Sequence, residues 1–280
     1  MAQLSANSGN VASRTNSENY IIQIVIIGAF YFIIGFATWV NGTLIPYLKI
    51  ACELETYVQA YLVATAFFIA YTIMAIPSSY VLRATGYKKG LAVGLFIMAI
   101  GAIVFVPAAQ ARNFNLFLIG LFIIGTGLAL LQTAVNPYVT IIGPQESAAT
   151  RISIMGICNK IAGILAGLIF GYIALDDADA LEKSLKAMDA ASREAALSEL
   201  AGRVILPYMI IAGVLVLLAI AVLFSPLPDI NDDASGESNG SATVATTKTS
   251  ILDFPHLLLG VVALFLYVGV EVVAGDTIIT

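Results

Sequence analysis

A handful of polar and charged side chains stand inside long apolar runs of this chain, and they are the residues with chemistry to offer. They are Asn41 and Thr43 with Trp39 close by, Gln132, Thr133, Asn136 and Tyr138 farther along, Asn159 beside Lys160, and Glu271 and Asp276 near the end. An unpaired polar group in hydrocarbon costs several kcal/mol, so such residues face a protein interior or a water-filled cavity. Planar amides both donate and accept, and an aromatic ring can cover an apolar ring face. That inventory suits recognition of a polyhydroxylated ring such as a monosaccharide, with Trp39, Asn41, Gln132, Asn136 and Asn159 as the candidate binding residues.

Each candidate has a plainer reading. Pro46 and Pro137 are expected to break the helices beside Asn41 and Asn136, and an amide there can satisfy the freed carbonyls instead of a ligand. Gln132 lies one turn before Asn136 on the same face, and its longer amide is harder to explain as backbone repair. Trp39 can equally pack against lipid, and Asn159 can make an interhelical hydrogen bond.

The acids imply a different chemistry. A carboxyl in hydrocarbon is kept neutral by the cost of burying charge, and exchanges a proton when solvent reaches it. Glu271 is the first candidate for such proton coupling and Asp276 the second. The alternatives are a packing salt bridge between Glu271 and Lys160, and a water-exposed mouth for Asp276.

The elements that position these residues follow from composition. The chain is 59% hydrophobic and 11% charged, where a soluble globular chain carries about 25% charged residues. Seven apolar runs emerge: Ile21 to Leu48, Tyr57 to Leu82, Gly90 to Ala109, Phe114 to Ile142, Ile152 to Leu175, Val204 to Phe224, and Leu257 onward. They exceed the roughly 9 to 11 residues of a barrel strand and suit spanning helices of about 20. The expected fold is all-α, a polytopic membrane protein in a lipid bilayer.

Four regions are expected: a polar tail over residues 1–20, a six-helix bundle over 21–225, a Ser/Thr/Gly/Asn-rich linker over 226–254, and the start of a second bundle over 255–280. The seventh run reads as an unfinished beginning, with a six-helix half still to come. Between the fifth and sixth runs, Leu181, Leu185, Met188 and Ala195 predict an amphipathic helix, with Glu182/Lys186 and Asp189/Arg193 at i,i+4 spacing. Gly163, Gly167 and Gly171 predict close helix packing. Arg83, Lys88 and Lys89 form the densest basic cluster and imply a cytoplasmic N-terminus. A faint repeat sets Gly35 over Gly269, Gly42 over Asp276 and Thr43 over Thr277.

No phosphate loop, catalytic triad, metal spacing or basic nucleic-acid patch is present in the sequence. Neither an enzyme, a cofactor, a metal nor a nucleic-acid partner is expected. Cys52 and Cys158 read as small packing residues.

Several segments resemble the fucose/glucose/galactose proton symporter family of the major facilitator superfamily. They are Asn41-Gly-Thr-Leu-Ile-Pro46, Gly86-Tyr-Lys-Lys-Gly90, Leu131-Gln-Thr-Ala-Val-Asn-Pro-Tyr138 with Gly143-Pro144, Pro207-Tyr-Met-Ile-Ile211 and Tyr267-Val-Gly-Val-Glu271. The resemblance implies twelve helices, a sugar site between two halves, alternating access driven by protons, and a bacterial inner membrane location. Fucose-type members carry an aspartate where this chain has Gly42 and a glutamate where it has Gln132. Glucose/galactose-type members are closer, with glutamine at the Gln132 position and a glutamate matching Glu271. The expected substrate is a glucose- or galactose-like hexose or N-acetylglucosamine, and the rival reading is a membrane sugar sensor that does not transport.

Overall fold

Hydrocarbon gives the backbone no hydrogen-bond partner but itself, so each apolar run must close its own bonds. The computed structural model describes residues 2–175, 184–185, 187–227 and 255–279, and among these every regular element is helical. In chain order they are α1 (Ala2–Ala51), α2 (Tyr57–Ala60), α3 (Leu62–Met74), α4 (Pro77–Thr85), α5 (Tyr87–Gln110), α6 (Phe114–Ile141), a 3-10 turn at Gln145–Ser147, α7 (Ala148–Leu175), α8 (Ala190–Gly202), α9 (Ile205–Leu223) and α10 (Pro255–Ile279). Five helical stretches among the described residues have the length and composition to cross a membrane, six if α3 and α4 with their 59° bend form one span. The chain divides into two units, Met1–Ile230 and Asn231–Thr280.

Proline acts differently from expectation. Pro46 and Pro137 lie inside α1 and α6, which run on to Ala51 and Ile141. Each proline removes only one ladder bond, the one to the carbonyl four residues back at Gly42 or Thr133, and the bonds on either side carry the helix through. The break falls instead at Pro77, the first residue of α4, where the run expected to be continuous from Tyr57 to Leu82 bends. Pro77 has no N–H to give the carbonyl one turn back, so the helix restarts.

Within the first unit, α5 packs along α6, α9 along α5, α3 along α6 and α1 along α7. Glycines permit the closest approaches. A methyl on Gly94 would lie 2.9 Å from the Gly127 carbonyl, and one on Gly101 would lie 2.8 Å from that of Gly120. The stripe expected on α7 behaves otherwise: Gly163 meets Trp39, whereas Gly167 and Gly171 have open space where a side chain would go. Stacked Phe105 and Tyr208, with centroids 3.8 Å apart, fasten α5 to α9.

The two ends of the unit are tied differently. At one end Gln23 donates to the Pro226 carbonyl at 3.0 Å and Lys88 to that of Ser225 at 2.7 Å. At the other end Arg112 reaches Glu194 at 2.6 Å and Glu53 at 3.8 Å, Arg193 reaches Glu53 at 2.6 Å, and the Tyr47 hydroxyl donates to the Leu200 carbonyl at 2.8 Å. These contacts dock α8 on the bundle.

The face of α8 differs from the expected one. Leu197, Leu200 and Ala201 are buried together with Leu185, whereas Met188 and Ala195 are exposed. Asp189 accounts for the change, since it caps a new helix by accepting from the Ser192 N–H and so interrupts the helical frame. Its expected partner Arg193 pairs with Glu53 instead. Leu181, the Glu182/Lys186 pair and nearly all of the linker lie outside the described residues. In the second unit, α10 carries an apolar stretch from Leu258 to Ala274.

Candidate functional site

Three helices of the first unit converge on one tyrosine. Tyr31 on α1 accepts a hydrogen bond on its main-chain carbonyl from Asn159 Nδ2 of α7 at 3.2 Å. Its hydroxyl donates to Asn136 Oδ1 of α6 at 2.8 Å. One turn farther along α1, Gly35 lets α7 come this close, because a methyl there would collide with the Asn159 backbone carbonyl. Gln132 stands half-buried one turn before Asn136. Asn136, Asn159 and Gln132 are thus neutral amides brought to the junction of α1, α6 and α7, or within one turn of it.

Trp39 completes the same stripe, since residues 31, 35 and 39 recur every four positions on α1. Its indole lies over α7, where a methyl on Gly163 would be 2.5 Å from ring carbon Cδ1, and Lys160 Nζ stands 4.9 Å from the ring centroid. A cation over an indole face is held by the ring quadrupole. Trp39 is therefore half-buried against α7.

Asn41 sits apart from this cluster. It is 1% exposed, and its Nδ2 donates back to the Thr38 carbonyl at 3.1 Å and the Ala37 carbonyl at 3.5 Å. It lines a cavity of about 560 Å³ whose other walls include Phe32, Phe36, Met98, Ile124, Tyr208 and Val214. A polyol there would leave most of its hydroxyls unpartnered, at a cost of roughly 1–3 kcal/mol each. The apolar cavity and the amide cluster are separate features, and Asn41 belongs to the former.

Glu271 and Asp276 both lie on α10, in the second unit, five residues and so about 140° apart around that helix. Glu271 is half-buried. Among the described residues no three metal-ligating side chains converge. The residue missed in the sequence is Tyr31, which stands in the aromatic-rich run Phe30-Tyr31-Phe32 and reads there as packing. Its four-residue spacing to Gly35 and Trp39 was the available signal.

The sequence profile of the Major Facilitator Superfamily matches residues 27–278. A glucose/galactose transporter of Brucella abortus biovar 1 (strain 9-941) is 33% identical over 265 residues, 95% of this chain and 59% of that protein. An L-fucose-proton symporter of Escherichia coli (strain K12) is 33% identical over 262 residues, 91% of this chain and 58% of that protein. The solved structure of a transporter, FucP, in the outward conformation superposes with a TM-score of 0.64 at 32% identity, covering 79% of this chain and 53% of that one. The chain spans about three fifths of the length of the curated relatives it matches.

Proposed function

Because the chain belongs to the Major Facilitator Superfamily, among homologues named as sugar transporters and proton symporters, we propose that it carries a monosaccharide together with protons across a bacterial inner membrane by alternating access. The observation that supports this most is the set of neutral amides, Asn136 and Asn159 joined through Tyr31 with Gln132 one turn away, held within apolar spans. Amides without a charged partner match hydroxyls without drawing in an ion. The matched relatives carry transport names, which favours carriage over sensing.

A glucose- or galactose-like hexose, or N-acetylglucosamine, fits this reading better than fucose. Gly42 and Gln132 offer no carboxylate where the fucose-type pattern has one. Trp39 is the aromatic platform, and Gln132, Asn136 and Asn159 supply the hydrogen bonds. Asn41, bonded to its own helix, acts by shaping α1 beside the cavity.

The proton belongs to the acids of α10. Glu271 takes up a proton from one side of the membrane with or before the sugar and releases it to the other, with Asp276 as the second acid. In this reading residues 21–225 form the first six-helix bundle, 226–254 link it onward, and α10 opens a second bundle. The test is sugar-dependent alkalinisation of the medium around cells expressing the protein. Glu271→Gln should abolish it while sugar binding persists, and unchanged alkalinisation would remove Glu271 from the mechanism.

A further inference from the structure

We propose that Tyr31 sets the hydrogen-bonding polarity of the site, turning the donor end of Asn136 and the acceptor end of Asn159 away from itself, so that the pair reads two sugar hydroxyls in opposite senses. The proposal rests on the sugar reading above and adds a specificity-determining residue to it.

An amide has a donor end and an acceptor end, and one that can rotate by half a turn does not discriminate. Tyr31 removes that freedom on both sides. Its main-chain carbonyl can only accept, so the Asn159 group facing it at 3.2 Å is Nδ2. Asn159 Oδ1 is thereby left to accept. The Tyr31 hydroxyl donates to Asn136 Oδ1 at 2.8 Å. The reverse arrangement, with Asn136 donating, would leave the hydroxyl proton needing another acceptor, and among the described residues this hydroxyl bonds Asn136 alone. Asn136 Nδ2 is thereby left to donate.

The scaffold makes this assignment rigid. Gly35 holds α7 against α1 one turn from Tyr31, and Trp39 is wedged on Gly163 and beneath Lys160 two turns away. Tyr31 therefore cannot move along α7 without disturbing both contacts. The consequence is chemical: the sugar oxygen at the free end of Asn136 accepts, and the one at the free end of Asn159 donates. Fluorine accepts weakly and never donates. Replacing the first hydroxyl by fluorine is then tolerated better than deleting it, whereas at the second position fluorine and hydrogen are equally poor.

The experiment is competition of hexose uptake by a series of deoxy and deoxyfluoro hexoses, in cells expressing the whole protein. The wild type should show one position where the fluoro sugar competes about tenfold better than the deoxy sugar, as one hydrogen bond predicts. Tyr31→Phe should erase that difference, with the loss falling on KM rather than on the maximal rate. A Tyr31→Phe protein that keeps the full fluoro preference would overturn the proposal. Should Tyr31→Phe fail to reach the membrane, Asn136→Leu tests the donor directly, since a side chain of similar size offers the sugar no hydrogen to share; it too must lose the fluoro preference.

A second measurement needs no sugar. Side-chain amide protons of asparagine, followed by ¹⁵N labelling in the purified protein, should show one slowly exchanging proton at Asn159 and two fast ones at Asn136. Equal exchange would refute the polarity even if the protein transports hexoses. Unequal exchange in a protein that carries no hexose would uphold the polarity and sink the sugar reading.

Discussion

Arg151 shows how much a single buried side chain can organise. It is 4% exposed, and its guanidinium donates to the carbonyls of Val139 at 2.9 Å, Pro144 at 2.8 Å and Thr140 at 3.2 Å, and to the Ser147 hydroxyl at 2.6 Å. Val139 and Thr140 lie in the last turn of α6, where carbonyls lack a partner within the helix, Pro144 and Ser147 lie in the turn to α7, and a planar fork can bridge the two. Arg151→Gln should lower thermal stability in detergent by about 3 kcal/mol, because several acceptors lose a charged donor at once; a Tm equal to wild type would contradict the assignment. Cys52 makes a chemical prediction. It lies just past the span ending at Ala51, and burial pushes its thiol up to about 11, against a weaker downward pull from the Arg112 guanidinium. In a Cys158→Ser background, maleimide should label it on the order of a hundredfold slower than a free thiol at pH 8, with the rate climbing as pH rises. Labelling at the free-thiol rate would show the pocket to be open.

At the scale of elements, the pairing of α1 with α7 is decided by where a side chain is missing. Gly35 faces the Asn159 backbone, whereas Gly167 faces open space. Gly35→Ala should therefore force α1 and α7 apart and destabilise the protein by roughly 1–3 kcal/mol. Gly167→Ala should be neutral or stabilising by up to about 1 kcal/mol, through helix propensity alone. Melting curves of the two variants measure the contrast, and equal effects would mean that the approach at Gly35 is not limiting. The α7 glycines were legible as a motif in the sequence, but the spacing is the same at Gly163 and Gly171. Only the position of α1 separates a packing glycine from an idle one. The break at Pro77 has the same character: three prolines sit inside helices that run on through them, at Pro46, Pro107 and Pro137, so proline alone does not mark a bend.

Across the whole first unit, the contacts sort the charged loops by end. Lys88, in the loop it shares with Arg83 and Lys89, bonds the chain leaving α9, while Glu53, Arg112, Arg193 and Glu194 pair at the opposite end. Arg83, Lys88 and Lys89 crowd one short connection and form the densest basic cluster, so the proposed cytoplasmic face is the first end. In a protein lacking Cys52 and Cys158, Ser198→Cys should react with a membrane-impermeant thiol reagent in intact cells, and Lys89→Cys only after permeabilisation. The opposite pattern would invert the proposed topology. Both positions are exposed, so access is set by side rather than by burial.

Hydropathy by itself determined that the chain is helical and membrane-spanning, because the cost of an unsatisfied backbone in hydrocarbon leaves few alternatives. The positions of the spans, the polar residues within them and the resemblance to sugar symporters were legible for the same reason: each is carried by residues close together in sequence. The partners of those residues were not. Asn41, Asn136 and Asn159 are chemically identical side chains in similar runs, yet one bonds its own helix and the others bond Tyr31 from two different helices. A hydrogen bond between helices depends on which faces meet over separations of 105 and 128 residues, and only the tertiary packing of α1, α6 and α7 decides that.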